Sequence, residues 1–534
     1  MKTMRTYVCL ALALVMCCAT FAACAETTSA HKNVITFAMC GSDDSYNPYN
    51  HNSNYGDIVY DMITDHLVYV AYDGSFEPRL ADSWETNEDC TQMTFHLNHN
   101  VTWHDGEPFT ADDVVFTCGI VTHPDVVTNR RAYFACLEGT DDSGVALTPY
   151  DIGVEAVDDY TVVITFKTPV DPSAFLCGDN RKWYILPEHL LADVEPALFH
   201  QCEYFQHPIG TGAFMFESMV PGDRVELVAN PNYFLGAPNF DKLVMRTVTA
   251  SNLVPGLMNG EIDILAGMGL ANIPLEDWDL AQEIEGIRTE SLPNYGYQIM
   301  SINHRREYMQ DSRVRLAISK AINRQAIVDQ LAAGEGAIMY GPLVPSHPYF
   351  NEEIAVDPYN PEEARKLLEE AGWDFDRELL LMVPTGNKVR EYSGAMIQND
   401  LQAIGMKVSI QYSDLTSIIA MLGNDECDLA LIGSSGSVDP DESRPHYEIG
   451  GGQNWGGITD PKYSELAVKG KSLTTFEERK AVYDEYQKVI AEECPIIYLY
   501  STNSLVACRD FFDYVPMIDF ALQNHKVHAW TFTE

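Results

Sequence analysis

The feature that most restricts the fold is the alternation of β-prone and helical segments in the second half of the chain. The β-prone runs 379–383 and 407–412 stand on either side of a helical segment at 391–404. A further helix at 475–491 leads directly into the β-prone run 496–500. Because this alternation is typical of a sheet covered by helices, the sequence predicts an α/β fold.

The first half of the chain has more strand signals and fewer helices. A short β-prone run at 34–38 precedes a segment with apolar residues at helical spacing, 57–67. Alternating apolar residues predict a half-buried strand at 91–97, and the turn-forming residues inside 214–227 predict a hairpin. One long helix is expected at 313–331, where apolar residues recur on one face.

Two helices of the second half carry clear end signals. Asn360 followed by Pro361 is typical of an N-cap with proline at the first helical position, and Gly372 is placed to end that helix. Thr475 with Glu478 three residues later predicts a capping box at the start of the next long helix.

Composition excludes several classes of protein. The chain has 534 residues, which predicts two or more domains. Apolar residues make up 46% and charged residues 21%, so the chain is not a disordered polymer. Acidic residues number 78 against 34 basic ones, a formal charge of −44. That charge argues against a nucleic-acid partner and against docking on an anionic membrane surface.

The N-terminus predicts export. Lys2 and Arg5 precede an apolar run at 7–23, the order of a secretory signal, and the run is short for a membrane span. The sequence FAAC ending at Cys24 resembles a bacterial lipobox, in which Cys24 would be acylated. Plain cleavage after Ala25 is the alternative. No later segment is apolar for long enough to span a bilayer.

Cysteine spacing points to neither a zinc site nor a redox motif. Nine cysteines lie beyond the leader, an odd number without a C-x-x-C pair. We expect mostly buried free thiols, with one or two disulfides left open as an alternative.

Several ordered blocks carry a resemblance to a known family. They are PRLADSW at 78–84, WHDGEPFTADDV at 103–114, PIGTGAF at 208–214, NPNY at 230–233, DSRVRLAI at 311–318, AINR at 321–324, DP at 439–440, TDP at 459–461 and ER at 478–479. In this order they resemble the extracellular solute-binding protein family 5, which contains the oligopeptide-, dipeptide- and nickel-binding proteins of ABC importers.

The resemblance implies a periplasmic-binding-protein-like fold of type II, with two lobes, an additional subdomain and a cleft at the hinge. It also implies a division of the chain. The expected parts are a signal peptide at 1–23, a tether at 24–33, lobe I at 34–65, 201–292 and 506–534, a subdomain of lobe I (domain II) at 66–200, and lobe II (domain III) at 293–505.

The function implied is that of an extracytoplasmic substrate-binding component of an ABC importer. It would capture short peptides between the lobes and deliver them to a membrane permease, as a monomer held at the cell membrane by a lipid anchor. A receptor for another small solute, such as a nickel or other metal chelate or a glycoside, is the alternative, and a sensor subunit is a further one.

The resemblance also implies a set of ligand-binding residues. They are His51, Asn52, Ser53, Tyr133, Arg181, Gly433, Ser434, Ser435, Ser437 and Asp439. Peptide-binding members have a tryptophan early in the last segment and an aspartate that receives the peptide amino group. Here Ser434 and Ser437 stand near those places, which predicts a wider and wetter wall. Pairing of the ligand with the backbone of 433–437 does not depend on side chains.

Catalytic and metal sites are not predicted. The sequence around Gly470-Lys471-Ser472 has Glu465 where a phosphate loop needs its first glycine. His96 and His99 would point to opposite faces of a strand, so convergence with His104 on a metal is not expected. We therefore expect no enzyme activity, no cofactor and no metal.

Overall fold

The computed structural model describes residues 33–43, 46–50, 53–71, 75–178, 182–267, 270–356, 358–512 and 526–532. Its strands are β1 Val34–Met39, β2 Val68–Val70, β3 Phe76–Pro78, β4 Ala81–Thr86, β5 Gln92–Leu97, β6 Val154–Asp158, β7 Thr161–Thr165, β8 Phe214–Val220, β9 Arg224–Ala229, β10 Lys242–Thr247, β11 Ile264–Leu265, β12 Ile287–Leu292, β13 Tyr297–Ile302, β14 Gly336–Ile338, β15 Glu378–Pro384, β16 Lys407–Ser413, β17 Leu429–Ser434, β18 Ile496–Thr502 and β19 Ser504–Arg509.

The α-helices are α1 Asn54–Ile63, α2 Ala111–Thr122, α3 Pro172–Cys177, α4 Glu188–Leu191, α5 Leu253–Asn259, α6 Leu275–Gln282, α7 Ser312–Ala321, α8 Arg324–Leu331, α9 Pro361–Glu370, α10 Lys388–Ala403, α11 Leu415–Gly423, α12 Lys462–Lys471 and α13 Phe476–Glu493. Short 3₁₀ helices connect several of them, including Asn129–Phe134 and Pro440–His446.

Lobe I is built on a seven-stranded sheet with the order β12-β19-β11-β1-β10-β9-β8. Strand β1 runs parallel to β10 and β11, and the remaining pairs are antiparallel. The predicted hairpin is confirmed, since β8 and β9 pair directly. A four-stranded sheet, β4-β5-β7-β6, shares one continuous core with this lobe, for example through Phe37 and Phe95.

Lobe II is built on a six-stranded sheet with the order β14-β18-β13-β17-β15-β16. Strand β15 is parallel to β16 and β17, with α10 in the crossover, whereas β13, β14 and β18 pair antiparallel. Alternate side chains enter different cores: Leu381 and Leu431 lie on one face, and Met382 and Ile432 on the other. Burial on both faces explains why these strands are continuously apolar in sequence.

The helix predicted at 313–331 is wrong in one respect, because it is two helices. Helix α7 ends at Ala321, and Ile322 has extended backbone angles of φ −83° and ψ 119°. The Asn323 side chain then accepts a hydrogen bond from the backbone N–H of Ala326 (2.9 Å) and caps α8. A local amide cap therefore overrides the continuous apolar face.

The chain passes between the lobes at two neighbouring places. One crossing lies between β12 and β13, and the other is Asn503, between β18 and β19. The Asn294 amide donates to the Thr502 carbonyl (2.6 Å), and the Asn503 amide donates to the Ser291 hydroxyl (2.9 Å). These bonds tie the crossings to each other, which makes this pair of segments the natural hinge.

Nine cysteines of the described chain are free thiols, and five of them are buried: Cys118, Cys177, Cys427, Cys494 and Cys508. This confirms the expectation of mostly buried thiols. Among the described residues, no helix combines the length and the apolar character that crossing a bilayer requires.

Candidate ligand-binding site

The wall predicted in lobe II forms where β17 leaves the sheet. Gly433 and Ser434 are still paired with Gln298 and Tyr297 of β13. Beyond them the chain runs irregularly to Asp439, which begins the 3₁₀ helix Pro440–His446. The buried strand thus ends in a segment of small residues, called here the 433–439 wall.

Gly436 is required by close packing within this wall. A Cβ atom at this position would lie 2.0 Å from the Tyr295 carbonyl oxygen, far inside van der Waals contact. The neighbouring Ser437 is buried, and its carbonyl accepts a hydrogen bond from Nε2 of His347 (2.9 Å). Burial lowers the pKa of His347 to about 4, so the ring is neutral near pH 7, and its Nδ1 accepts from the Tyr349 N–H.

A second buried histidine lies behind Ser434. Nε2 of His446 is 3.3 Å from the Ser434 hydroxyl, and the Trp455 ring packs edge-on against the imidazole, with ring centres 5.5 Å apart. Burial lowers the pKa of His446 to about 4 as well. Sequence analysis missed both histidines, because no motif links them to the wall: His347 lies 90 positions from Ser437, and His446 lies 12 positions from Ser434.

The wall offers backbone groups to a ligand. Among the described residues, the N–H groups of Ser435 and Gly436 have no hydrogen-bond acceptor, and Ser435 is exposed. A small cavity of about 10 Å³ adjoins them, close to the least space that admits one water molecule. It is lined by Tyr295, Tyr297, Pro342, Leu343, Val344, His347, Ser435, Gly436, Ser437, Asp439, Glu442 and Ser443.

Asp439, in contrast, is engaged by the protein itself. Its carboxylate accepts from the Asp441 N–H (3.1 Å), which caps the 3₁₀ helix, and forms an ion pair with Arg479 (2.7 Å). The structure therefore places Asp439 at the base of the wall, in a structural ion pair.

Arg390 and Gln298 are polar residues of this region that sequence analysis did not single out. Nε of Arg390 donates to the Gln298 side-chain oxygen (2.7 Å), and both side chains pack against Gly433. Burial lowers the pKa of Arg390 from its ordinary value. No motif marks these residues. The pairing of β13 with β17 brings Gln298 to the wall, and Arg390 reaches it from the first turn of α10.

On the lobe I side, Ser53 and Tyr133 are half-buried, and each lies close along the chain to one partner of a buried ion pair. The Ser53 hydroxyl caps α1 by accepting from the Tyr55 N–H (3.1 Å). One turn later, Asp57 pairs with Arg130 (2.6 Å), which lies in the same 3₁₀ helix as Tyr133. His51, Asn52, Arg181 and Cys24, also singled out from the sequence, lie outside the described residues.

Between the lobes lies a cavity of about 220 Å³. Lobe I lines it with Phe76 and with residues of α3, and lobe II with residues of the wall and of α13. The lining residues are Phe76, Ser173, Ala174, Cys177, Pro348, Tyr349, Val438, Asp439, Phe476 and Arg479. The 433–439 wall therefore faces the junction of the two lobes.

The three histidines considered for a metal have separate roles. His104 is held by Gly210 and Gly212 (3.0 and 3.1 Å), and burial lowers its pKa to about 4. The His99 ring stacks on Tyr160, and His96 is 3.9 Å from Glu85. Within the described ranges, no three side chains of His, Cys, Asp or Glu are grouped as a metal site.

Comparisons with known proteins agree with this architecture. The chain is 27% identical to the oligopeptide-binding protein AppA of Bacillus subtilis over 448 residues, 80% of this chain and 78% of AppA. The structure of that AppA in complex with a nonapeptide superposes with a TM-score of 0.73 at 24% identity, covering 94% and 99% of the two chains. NikZ of Campylobacter jejuni in complex with Ni(L-His) superposes with a TM-score of 0.75 at 22% identity, covering 94% and 100%.

The sequence model of the bacterial extracellular solute-binding proteins, family 5, matches residues 75–457, well over half of the chain. The match includes the crossing between β12 and β13 and the 433–439 wall. The predicted type II fold and the predicted family are both confirmed by these comparisons. The chain belongs to the bacterial extracellular solute-binding proteins of family 5.

Proposed function

We propose that this protein is the extracytoplasmic binding component of an ABC importer and that it captures short peptides between its lobes. The backbone of the 433–439 wall carries the proposal. Strand β17 ends at the lobe junction, and the N–H groups of Ser435 and Gly436 have no acceptor within the described residues. An extended peptide can pair with such a strand end through its own main chain.

The side chains of the wall fit a ligand that is recognised by its backbone. Ser434, Ser435 and Ser437 are small and polar, so side chains of different size can be accommodated beside bridging water. The relationship to the oligopeptide-binding AppA supports the same ligand class. His51, Asn52, Ser53, Tyr133 and Arg181 are proposed to contribute from lobe I.

A metal chelate is the second candidate. It is supported by the similarity to NikZ, which was solved with Ni(L-His). The buried neutral imidazoles of His347 and His446 are already engaged by Ser437 and Ser434, so the chelate would have to use other groups.

Native mass spectrometry followed by calorimetry separates these candidates. Protein purified without denaturation is expected to release short peptides, and ligand-free protein is expected to bind members of a synthetic pool of tri- to nonapeptides. Binding of Ni²⁺ with free histidine, without any peptide binding, would favour the chelate. Turnover of a bound peptide would contradict a purely binding role.

The proposal also covers the N-terminal residues, up to and including Cys24. Residues 1–23 would be removed as a signal peptide, and acylation of Cys24 would hold the protein at the membrane beside its permease. Metabolic labelling with a radioactive fatty acid tests this. Label in the wild type that is lost in Cys24→Ser is expected; label-free, secreted wild type would contradict the anchor.

A further inference from the structure

We infer that Arg479 and Asp171 form an ion pair across the lobe junction that holds the closed protein together and thereby sets its affinity for the captured solute. The inference rests on the proposed capture between two lobes. It assigns part of the affinity to residues that need not touch the ligand. The pair is called here the junction ion pair.

Arg479 belongs to lobe II, and contacts within that lobe fix its side chain independently of lobe I. It lies in the first turns of α13, and its Nε donates to the Gly470 carbonyl (3.3 Å). Nη2 donates to Asp439 (2.7 Å), and the Tyr349 and Tyr483 rings flank the guanidinium, each 5.5 Å from it. These contacts fix the planar group, so little side-chain entropy remains to be lost on closure.

Asp171 belongs to lobe I and is equally fixed. One carboxylate oxygen caps α3, accepting from the backbone N–H groups of Ser173 (2.7 Å) and Ala174 (3.3 Å). Phe175 of that helix is anchored in the lobe I core against Phe166 and Trp183. The second carboxylate oxygen of Asp171 is turned toward lobe II.

The two fixed groups meet across the junction. Nη1 of Arg479 donates to Asp171 (2.9 Å), and the two side chains are only 2% and 4% exposed. One guanidinium thus joins a carboxylate of each lobe. Because water is excluded, this charge-assisted hydrogen bond is stronger than one on the surface.

The surroundings give the ion pair a large share of the contact between the lobes. Around it, the lobes are separated by the cavity of about 220 Å³, so apolar packing is incomplete. Among the described residues, the lobe I side chains that join the apolar cluster of lobe II are the buried Val70 and Cys177 and the half-buried Phe76. Neither Asp171 nor Arg479 lies on a chain crossing, so a hinge rotation separates them while their contacts within each lobe persist.

Closure is therefore linked to ligand affinity through this contact. A ligand held by both lobes binds the closed form better, and its apparent dissociation constant falls as the closed form becomes more populated. Loss of one charge-assisted hydrogen bond is expected to weaken binding by about ten- to a hundredfold, mainly through faster dissociation.

Asp171→Asn is the variant of choice, because asparagine also caps helices and should leave α3 in place. The matched control is Asp428→Asn. Asp428 is a buried carboxylate that pairs with Arg306 (3.4 Å) and accepts from the Leu380 N–H, entirely within lobe II. Arg479→Lys is a second test, since lysine keeps the charge but cannot join both carboxylates with a planar fork.

Two measurements are made on each full-length mature protein. Calorimetry gives the dissociation constant for the tightest-binding member of the tri- to nonapeptide pool, and small-angle scattering of ligand-free protein gives the radius of gyration. We expect Asp171→Asn and Arg479→Lys to bind at least tenfold more weakly and to be more expanded than the wild type. Asp428→Asn should match the wild type in both measurements while melting at a lower temperature.

Failure of the proposed function and failure of the inference about the junction ion pair give different results. If the wild type binds no peptide, the proposed function is wrong, and the scattering comparison still decides the junction ion pair. If Asp171→Asn keeps both the affinity and the radius of gyration of the wild type, the inference is overturned. It is also overturned if Asp428→Asn weakens binding as much as Asp171→Asn does.

Discussion

Two buried arginines, one in each lobe, make similar contacts with different consequences. Arg130 pairs with Asp57 (2.6 Å), whose other oxygen is 3.4 Å from Nζ of Lys182, and all three residues belong to lobe I. Arg479 pairs with Asp439 of its own lobe and with Asp171 of the other. The first cluster is unchanged by a hinge motion, whereas the second is complete only when the lobes meet.

The comparison shows that the position of a buried ion pair in the topology decides what it controls. A pair inside one lobe contributes to unfolding stability alone. A pair between lobes contributes to a conformational equilibrium, and through it to binding. The following predictions test this difference.

The largest effect on stability is expected from Arg130→Ala. The substitution leaves the buried negative charge of Asp57 balanced by the more distant Lys182 and no longer by Arg130. This should lower the free energy of unfolding by about 3–5 kcal/mol. Denaturant unfolding measures it. Arg131→Ala is the neighbouring control, because the acceptors of this half-buried side chain within the described ranges are the Val121 and His123 carbonyls. Equal losses in the two variants would contradict a special role for the Asp57 pair.

In lobe II, His446 should make the protein sensitive to acid. Burial lowers its folded pKa to about 4, against 6.5 for an ordinary imidazole, so the unfolded state binds the proton first. Stability is therefore lost as pH falls from 6.5 through 4, by about 3 kcal/mol over the whole window. His446→Gln, which stays uncharged, should reduce this slope in melting experiments; an unchanged slope would contradict the prediction.

In lobe I, Asp61 should add stability on acidification, the opposite of His446, and over nearly the same range of pH. Burial raises its pKa to about 6, with Asp57 adding to the rise and His66 and Lys182 opposing it. The folded state then binds a proton between pH 6 and 3.8 that the unfolded state does not, so this group adds stability as pH falls. The full contribution is about 3 kcal/mol. Asp61→Asn should make the loss of stability on acidification steeper; a shallower loss would refute the assignment.

The smallest effect on stability is expected at the wall itself. Gly436→Ala places a Cβ against the Tyr295 carbonyl and should cost about 1–3 kcal/mol through local overpacking. Peptide binding should weaken, because the displaced backbone carries the proposed ligand contacts. Gly452→Ala is the control, since a Cβ there meets no atom of the described residues within 4 Å. Calorimetry with the same peptide compares the two variants. Unchanged binding in Gly436→Ala would contradict the proposal that the wall contacts the ligand.

Local structure was largely predictable, because it depends on neighbouring residues. Asn360 caps α9 by accepting from the Glu363 N–H, and Gly372, with φ +71°, lies just beyond its end. Helix α13 begins after Thr475 as expected, although the Thr475 hydroxyl donates to the Glu478 carboxylate and forms no backbone cap.

The site was predictable only where the family motif names a segment. The 433–439 wall was expected, but its supports His347, His446 and Arg390 were not, because strand pairing and loop packing bring them there. The exact lobe boundaries and the lobe I contacts remain predictions. The sheet of lobe II is parallel for β15, β16 and β17 only, a strand order that the sequence did not predict, since it depends on which faces can be buried together.

By itself, the sequence determined the α/β class, the family and most helix and strand positions, since apolar periodicity and end signals act over a few residues. Only the tertiary structure decided which charges meet. Asp171 and Arg479 are 308 positions apart, and they pair because two separately packed cores place one carboxylate and one guanidinium on opposing surfaces. Contacts between cores depend on the orientation of whole lobes, and no local pattern of residues encodes that orientation.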